Sequence, residues 1–525
     1  MDHEARSPDR GAAADGELDG PFHRLGTEPV ETKQAGGAAV GNRQVIHRSQ
    51  AAERRVYIQR RSQGSAFEVG LADLVRFDDK IHAKLAQTRP RPPLPLSPVS
   101  NQPVKVGVLG CGNVGAPLVQ LIEQRASAIA QRTGVTLEVV RVAVRNTSKP
   151  RPGIATSLLT HDAPGVVADP NVDLVVELIG GIEPARGLIV EAIKRGKPVV
   201  TANKELLANV GADLFEAADT AGVDLLFEAA VCGGIPLIRP LRESLIGEHV
   251  TRLMGIVNGT TNFILTRMTE IGASYGDALK EAQSLGFAER DPTADVEGYD
   301  AAAKAAILAT IAFGRRVVAG DVFREGISAV TAADVDFATR LGYVVKLLAI
   351  AEERGEQISV RVHPAMLPVS HPLASVRESF NAVFIEGSAV GQVMFYGRGA
   401  GGSPTASAVL GDIVDAAVNL RKGTHASIGT FVAAEMAPIE DIASQYYLNV
   451  QVTDAPGVLA AVANVFGSHT VSIRSMEQEG LGGDARIVFI THAARERDIQ
   501  ACLTDLGTLD VVKRIDSVLR VIGND

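Results

Sequence analysis

The residues best placed to do acid–base chemistry are Asp300 and Lys304, four positions apart in the run YDAAAKAAILATIAF. The alanines of this run favour an α-helix, on which residues four apart lie on the same face. A carboxylate held beside an amine could bind a zwitterionic substrate and move a proton. The same spacing is common in surface salt bridges, which contribute little to stability. The pair alone therefore leaves both interpretations open.

The segment that leads into this helix is acidic and is broken by turn-forming residues. Gly286, Pro292 and Gly298 divide it into a turn, a loop and the start of the helix. Besides Asp300, its carboxylates are Glu281, Glu289, Asp291, Asp295 and Glu297. We expect Glu297 to face solvent, and Asp291 and Asp295 to shape the loop or line a pocket.

A glycine-rich turn begins the ordered part of the sequence, in VKVGVLGCGNVGAPLVQLI from Val104. Gly110, Gly112 and Gly115 form G-x-G-x-x-G directly after an apolar strand and at the start of a helix. The first glycine permits the turn, the second lets the backbone approach a pyrophosphate, and the third lets helix and strand pack closely. The pyrophosphate then lies at the helix N-terminus. This context predicts a dinucleotide site, with Asn113 and Val114 in the same turn.

The next predicted strand, LEVVRVAVRN, indicates which dinucleotide is bound. It ends without the acidic residue that would bind an adenosine ribose 2′-hydroxyl. Arg145 stands near its end instead, and Lys149 follows four residues later. Two cations at this place favour a 2′-phosphate, so we predict NADP(H) as the preferred cofactor, with NAD(H) as the alternative.

Further strand–helix units follow, as a doubly wound parallel sheet requires. One predicted strand runs into a glycine turn at Gly180, and another ends at Lys204. Ligands of such sheets bind outside the carboxyl ends of the strands, so Lys204 could reach the nicotinamide or the substrate. A solvated lysine at a helix start is the alternative. Glu228, beside the glycine pair of VCGGIP, could hold a monovalent cation through oxygen ligands.

Composition bounds the class of protein. With 525 residues, 46% hydrophobic and 22% charged, the chain is expected to form three or more globular domains. A net charge of −9 argues against general nucleic-acid binding. Three scattered cysteines fit a reducing compartment. No apolar run is long enough for a membrane span, and MDHEARSPDRG lacks the apolar core of a signal peptide. We therefore expect a cytoplasmic protein without membrane partners.

Residues 1–100 differ in character from the rest. They are rich in Arg, Gly, Pro, Ser and Gln, and they end in the proline-rich TRPRPPLPLSPVS. One piece, residues 67–85, could form an amphipathic helix. We interpret 1–100 as a largely disordered, dispensable extension; an interaction arm is the alternative.

Two more regions complete the chain. Residues 242–398 contain a strand, the NGTTN turn at 258–262, a helix, the acidic stretch, further helices to about residue 352, and strands. A second glycine-rich loop, GAGGSPTA, then enters a helix that we expect to return to the nucleotide domain. The last region predicts the order β-α-β-β-α-β, a ferredoxin-like topology.

Taken together, these motifs resemble those of the homoserine dehydrogenases, in the monofunctional form with a C-terminal ACT domain. The resemblance covers roughly residues 104–525. Its most specific part is A-x3-G-F followed by Asp291-Pro292, Asp295, Gly298, Asp300 and Lys304; TANK at 201–204, NGTTN, GAGGSPTA and DAPGVL at 454–459 agree.

The resemblance implies an α/β architecture of three domains. The first is a Rossmann-type doubly wound nucleotide-binding domain at 101–241, completed by 399–430. The second is a mixed α+β domain at 242–398 for catalysis and oligomerisation. The third is a ferredoxin-like ACT domain at 440–525.

It also implies the reversible reduction of L-aspartate 4-semialdehyde to L-homoserine by NAD(P)H, on the route to threonine, methionine and isoleucine. Lys304 would be the catalytic acid/base, and Lys204 would act near the nicotinamide. Glu289 and Asp300 would bind substrate, and Gly286 and Gly401 would touch the cofactor.

The same resemblance implies three kinds of partner. Glu228, with the carbonyl oxygens of Val231, Gly233 and Ile235, matches the family's sodium site. The ACT domain would bind threonine as a feedback inhibitor. The chain would form a homodimer or homotetramer.

Two other functions stay open at this stage. One is a regulatory sensor without turnover, and the other is a different semialdehyde or amino-acid dehydrogenase on the same framework. For catalysis, we expect burial and an approaching Lys204 to lower the pKa of Lys304 from its ordinary value of about 10.4.

Overall fold

The computed structural model describes residues 102–429, 431–480 and 482–523. These belong to a compact unit that spans Leu96–Asp525, and everything below concerns that unit alone. The predicted extension at 1–100 and its helix at 67–85 lie outside the described residues. Among those described, no helix is long and apolar enough to cross a bilayer.

The first domain is built on a six-stranded parallel sheet. Its strands are β1 (Val104–Leu109), β2 (Leu137–Ala143), β3 (Leu159–Thr160), β4 (Leu174–Glu177), β5 (Val199–Thr201) and β6 (Leu225–Leu226). Their order is β3-β2-β1-β4-β5-β6, and every pairing is parallel. This order is that of a dinucleotide-binding fold, so the predicted Rossmann-type fold class is confirmed.

Helices cover both faces of this sheet. They are α1 (Gly115–Thr133), α2 (Ala163–Ala168), α3 (Ala185–Lys194) and α4 (Lys204–Ala221). A helix from much later in the chain, Gly402–Lys422, joins them: its Val409 and Ile413 share a buried cluster with Leu118 and Ile122 of α1. The second glycine-rich loop therefore ends at the nucleotide-binding sheet.

The second domain places helices on one face of an antiparallel sheet. The strands of this sheet are β7 (Val250–Ile256), β10 (Tyr343–Arg354), β11 (Gln357–Pro368), β12 (Phe380–Gly387) and β13 (Gly391–Arg398). Short β9 (Phe323–Arg324) adds to β11 in parallel, and short β8 (Arg315–Arg316) lies outside this sheet. Its helices are α5 (Gly259–Ile271), α6 (Tyr275–Ser284), α7 (Thr293–Val296), α8 (Tyr299–Phe313) and α9 (Ala332–Arg340); the returning helix Gly402–Lys422 is α10.

The prediction of helices up to about residue 352 is wrong. Residues Tyr343–Arg354 form β10, which pairs with β11 along its whole length from Tyr343↔Pro368 to Arg354↔Gln357. The run KLLAIAEER contains good helix formers, but a tight turn at Gly355, with φ +64°, folds the next apolar segment back onto it. Pairing between buried strands then outweighs the weak local preference for helix.

The third domain has the strands β15 (Ala443–Thr453), β16 (Ile473–Gly480), β17 (Asp484–Thr491), β18 (Ala494–Arg495) and β19 (Val512–Val521). Its helices are α11 (Val458–Ser468) and α12 (Glu496–Leu506). The short strand β14 (Val432–Ala433) lies between α10 and β15. The four long strands lie in the order β19-β15-β17-β16. The predicted ferredoxin-like topology is confirmed. Strand β19 also pairs in parallel with β11, so the second and third domains share one continuous sheet.

Candidate active site

Helix α8 holds Asp300 and Lys304 side by side, beneath the surface. It starts after Gly298, whose φ of +79° suits a glycine and turns the acidic loop into the helix. Lys304 Nζ lies 2.7 Å from Asp300 Oδ2 and donates to the carbonyl oxygen of Val257, also at 2.7 Å; Val257 directly follows β7. The exposed fractions of the two side chains are only 9% and 11%. This burial excludes the ordinary surface salt bridge.

A second lysine reaches the same carboxylate from the nucleotide-binding domain. Lys204 Nζ lies 2.9 Å from Asp300 Oδ1. Lys204 is the first residue of α4, whose N-cap Asn203 accepts from the amide of Leu206 and donates to the carbonyl of Gly181. The predicted residues Lys204, Asp300 and Lys304 are therefore brought together at the boundary between the two domains.

Asn258 is a site residue that the sequence reasoning missed. Its Nδ2 donates to Asp300 Oδ2 at 2.9 Å and to Asp295 Oδ1 at 2.7 Å, while its Oδ1 caps helix α5 at Thr261. The NGTTN motif was noted for its turn, but nothing in its spacing pointed to the distant Asp300. Through Asn258, Asp295 is linked to Asp300. Asp291 accepts from the amide and hydroxyl of Thr293 and so shapes the loop, and Glu297, which we expected to face solvent, is half-buried.

The electrostatics of the trio differ from the expectation. Burial alone would raise the pKa of Asp300, but the ammonium groups of Lys304 and Lys204 outweigh it and hold that pKa well below its usual range. Burial alone would lower the pKa of Lys304, but Asp300 outweighs it, so this pKa lies above its ordinary value of 10.5. The expected lowering is therefore wrong for this geometry, because Lys204 contacts Asp300 instead of opposing Lys304.

The glycine turn has the shape that a pyrophosphate needs. Gly110 has φ +101°, and a Cβ there would lie 2.5 Å from the carbonyl oxygen of Leu178. A Cβ at Gly115 would overlap the carbonyl oxygen of Gly110, which brings helix α1 close to β1. At Gly112 a Cβ would meet open space, so this position faces the room left for a ligand. The residues present therefore fit a dinucleotide.

The second glycine loop closes on the first. A Cβ at Gly402 would overlap the carbonyl oxygen of Asn113, so the two backbones touch. Gly401 precedes it with φ +127°, and Val114 forms the start of α1. The predicted cofactor residues Asn113, Val114 and Gly401 thus lie around one turn.

Arg145 and Lys149 are exposed on the loop that follows β2. Arg151, which the sequence reasoning missed, anchors this loop: its Nε donates to the carbonyl of Cys111 at 3.3 Å and its Nη1 to that of Lys149 at 2.9 Å. The loop with both predicted cations is therefore held beside the glycine turn.

Glu177 is another site residue that had no sequence signal. Its carboxylate, fully buried at the end of β4, accepts from the amides of Ile179 and Gly180 and from the hydroxyl of Thr201 at 2.6 Å. It holds the Gly180 turn, with φ +80°, against the strand that leads to Lys204.

The loop with Gly286 and Glu289 follows helix α6. Gly286 has φ +76° in the turn after α6, and Glu289 is exposed. Thr260 ties the loop to α5 through the carbonyl of Phe287 at 2.6 Å. In the described structure the Glu289 carboxylate forms no ion pair with Lys204 or Lys304, so its assignment to the substrate stays a prediction.

Glu228 is buried where the predicted cation site lies. Its carboxylate accepts from the amides of Leu237, Ile238 and Arg239. A carboxylate offers about four lone-pair positions, so one remains for a further partner. Within the described residues, no cluster of three or more His, Cys, Asp or Glu side chains could hold a metal ion. A cation here would have to rely on backbone oxygens, as the predicted ligands Val231, Gly233 and Ile235 would provide.

Three parts of the chain match known protein families. The family described as "Homoserine dehydrogenase, NAD binding domain" matches residues 110–228, "Homoserine dehydrogenase" matches 236–414, and "ACT domain" matches 446–510. Over 424 residues the chain is 51% identical to a homoserine dehydrogenase of Corynebacterium glutamicum, covering 80% of this chain and 95% of that one. It is 50% identical over 438 residues to the enzyme of Mycobacterium tuberculosis, covering 81% and 99%.

Solved structures of homoserine dehydrogenases also match the chain. A homoserine dehydrogenase from Thiobacillus denitrificans has 42% sequence identity and a TM-score of 0.77, covering 80% of this chain and 98% of that chain. A hyperthermophilic archaeal homoserine dehydrogenase in complex with NADPH has 29% identity and a TM-score of 0.53, covering 61% and 98%. The chain belongs to the homoserine dehydrogenases, NAD(P)-dependent oxidoreductases with a nucleotide-binding, a catalytic and a C-terminal ACT domain.

Proposed function

We propose that this chain reversibly reduces L-aspartate 4-semialdehyde to L-homoserine, with Lys304 as the proton donor. The observation that carries the proposal is Asp300, buried between Lys304 at 2.7 Å and Lys204 at 2.9 Å, each from a different domain. Substrate and product are both zwitterions that carry one reacting carbon–oxygen group. A site for them needs a carboxylate for the ammonium group and a cation for the reacting oxygen.

Lys304 has one N–H donor left for the substrate. An ammonium has three N–H donors, and two of them are used by the carbonyl of Val257 and by Asp300. The third is available to the aldehyde oxygen. The nicotinamide of a cofactor whose pyrophosphate is bound at the glycine turn would supply the hydride to the aldehyde carbon. In the reverse direction Lys304 would take the hydroxyl proton of homoserine.

Asp300 and Lys204 would bind and orient the substrate. Asp300 Oδ2 is occupied by Lys304 and Asn258, whereas Oδ1 contacts Lys204, whose side chain is 44% exposed. The substrate's ammonium group would replace Lys204 at Oδ1, which would free Lys204 for the nicotinamide side of the pocket. Glu289 would add a second carboxylate from the 286–292 loop.

The raised pKa of Lys304 makes the two directions depend differently on pH. Reduction needs the protonated lysine, which is the major form at any pH below the pKa, so its rate should be flat from pH 7 to 9. Oxidation needs the neutral lysine, so its rate should climb by up to about tenfold per pH unit over the same range. Steady-state kcat in both directions checks this. An oxidation rate that levels off below pH 8 would contradict it.

The cofactor preference is proposed to be NADP(H), supported by Arg145 and Lys149 beside the glycine turn. Replacing both with alanine should lower kcat/KM for NADPH by roughly ten- to a hundredfold, since two charge-assisted contacts are lost, and should change that for NADH by less than about threefold. Arg195→Ala, an exposed arginine at the end of α3, is the control. Equal losses for both cofactors would show that the loop only supports the fold.

Further assignments complete the proposal. The ACT domain binds threonine and lowers activity, sodium binds at Glu228 with the carbonyls of Val231, Gly233 and Ile235, and the chain works as a homodimer or homotetramer in the cytoplasm. Residues 101–241 with 399–430 bind the cofactor, 242–398 bind substrate, and 440–525 regulate. Residues 1–100 are dispensable.

One set of kinetics tests the statements on cofactor, effector, sodium and residues 1–100 together. Semialdehyde reduction is measured with NADPH and NADH, with and without L-threonine, in sodium or caesium chloride, on the full chain and on residues 101–525. We expect faster turnover with NADPH than with NADH, inhibition by threonine, and equal rates for the full chain and for residues 101–525. No turnover with semialdehyde, alongside intact NADPH binding, would favour a sensor; faster turnover with another aldehyde would favour a different dehydrogenase.

A further inference from the structure

The short strand β9 and the residues after it lie between the ACT domain and the start of helix α8. Strand β9 pairs in parallel with β11 at Arg361 and Val362. The ACT strand β19 pairs with the same strand a few residues further on, at Ala365 and Met366. The two strands therefore follow one another along β11, so the end of β9 lies near β19.

Arg520 of β19 forms the contact on the ACT side. Its Nη1 and Nη2 donate to the two carboxylate oxygens of Glu325, at 2.6 and 3.2 Å, and its Nε donates to Glu496 of α12 at 3.0 Å. Its guanidinium also lies 5.2 Å from the ring centroid of Phe323. Arg520 is 4% exposed, whereas the Glu325 side chain is 39% exposed. A bidentate pair of this kind fixes both the position and the direction of the two side chains.

The other side of the same segment contacts the residues that lead into Asp300. The guanidinium of Arg324 lies 3.8 Å from the ring centroid of Tyr299, the first residue of α8. The amide of Ile327 donates to the carbonyl of Val296 at 2.8 Å. A Cβ at Gly326 would overlap that same carbonyl oxygen, so the backbones touch.

The extended backbone explains this double contact. Successive side chains of a strand point to opposite faces, so Phe323 and Glu325 face Arg520 while Arg324 faces Tyr299. A displacement of β19 would be carried through two or three residues to Val296 and Tyr299. Asp300, in the first turn of α8, would move with them relative to Lys204.

We infer that Arg324, Glu325 and Arg520 are positioning residues for Asp300, through which the ACT domain sets the geometry of the active site. The link to turnover rests on the proposed function. The link between Arg520 and α8 rests on the contacts alone.

A second connection between the domains offers a matched control. Asp334 of α9, fully buried, accepts from Tyr447 Oη at 3.0 Å and from Asn449 Nδ2 at 3.1 Å. These contacts tie the ACT sheet to α9 and do not involve Val296, Tyr299 or Asp300. Tyr447→Phe therefore weakens ACT docking without touching β9.

The test compares Glu325→Gln and Arg520→Met with Tyr447→Phe in the full chain. Hydrogen–deuterium exchange is followed in the peptide 293–304, with kcat and KM. We expect the first two variants to exchange faster there and to lose roughly tenfold in kcat, with the cofactor KM within twofold. Arg520→Lys, which keeps the charge but not the bidentate fork, should be intermediate. Tyr447→Phe should leave both readouts unchanged.

Unchanged exchange at 293–304 in Glu325→Gln and Arg520→Met would overturn the inference, and so would an equal effect of Tyr447→Phe. L-threonine gives a separate arm: Glu325→Gln should still show a thermal shift with threonine but lose most of its inhibition. If the wild-type chain does not respond to threonine, the proposed effector is wrong. If the wild-type chain shows no turnover, the proposed reaction is wrong. In either case the exchange result still decides the inference.

Discussion

Replacing Lys304 with methionine should lower kcat for semialdehyde reduction by roughly two to four decades and leave the affinity for NADPH within about twofold. Methionine keeps the length of the side chain but has no proton to give. Asp300 would stay charged and held by Lys204 and Asn258, so the pocket should keep its shape. Steady-state kinetics and a fluorescence titration with NADPH measure the two effects.

The control is Lys280→Met, a lysine of α6 whose side chain is 79% exposed. It should behave as the wild type in both measurements. Lys204→Met separates the two lysines, because it removes the cation that contacts Asp300 Oδ1 and spares the proposed donor. Near-normal kcat in Lys304→Met, with a loss of decades in Lys204→Met, would transfer the role of proton donor to Lys204.

Gly112→Ala should weaken NADPH binding by roughly ten- to a hundredfold and leave the melting temperature unchanged. A Cβ at this position meets open space in the protein, so only a bound pyrophosphate would collide with it. The expected factor corresponds to about 1–3 kcal/mol for one misplaced methyl group. Titration with NADPH and calorimetry of the unliganded chain give the two values.

Gly115→Ala is the matched comparison, one turn further on. Its Cβ would overlap the carbonyl oxygen of Gly110, so it should cost about 1–3 kcal/mol of folding stability even without cofactor. Gly112→Ala thus tests the space that the ligand needs, and Gly115→Ala tests the space that helix α1 needs to pack. Normal NADPH affinity in Gly112→Ala would place the pyrophosphate elsewhere.

Local patterns in the sequence were enough to predict much of the fold. The strand–glycine turn–helix at Val104–Ile122 and the β-α-β-β-α-β order of the last domain both depend on neighbours in sequence, and both are present in the structure. The pairing of Asp300 with Lys304 was also within reach, because residues four apart on a helix must lie together. Strand β10 was missed, because its partner strand, not its own residues, decides its conformation.

Contacts between distant segments required the tertiary structure. Asn258 lies 42 residues from Asp300, and Lys204 reaches Asp300 from another domain, so no spacing rule connects them. These contacts also raise the pKa of Lys304, which we expected to be lowered, because the direction of the shift depends on which charge lies nearest in space. By itself, the sequence determined which residues could do the chemistry and which local turns present them. Only the folded chain decided which charge faces which, because Coulomb interactions and burial act through space and not along the chain.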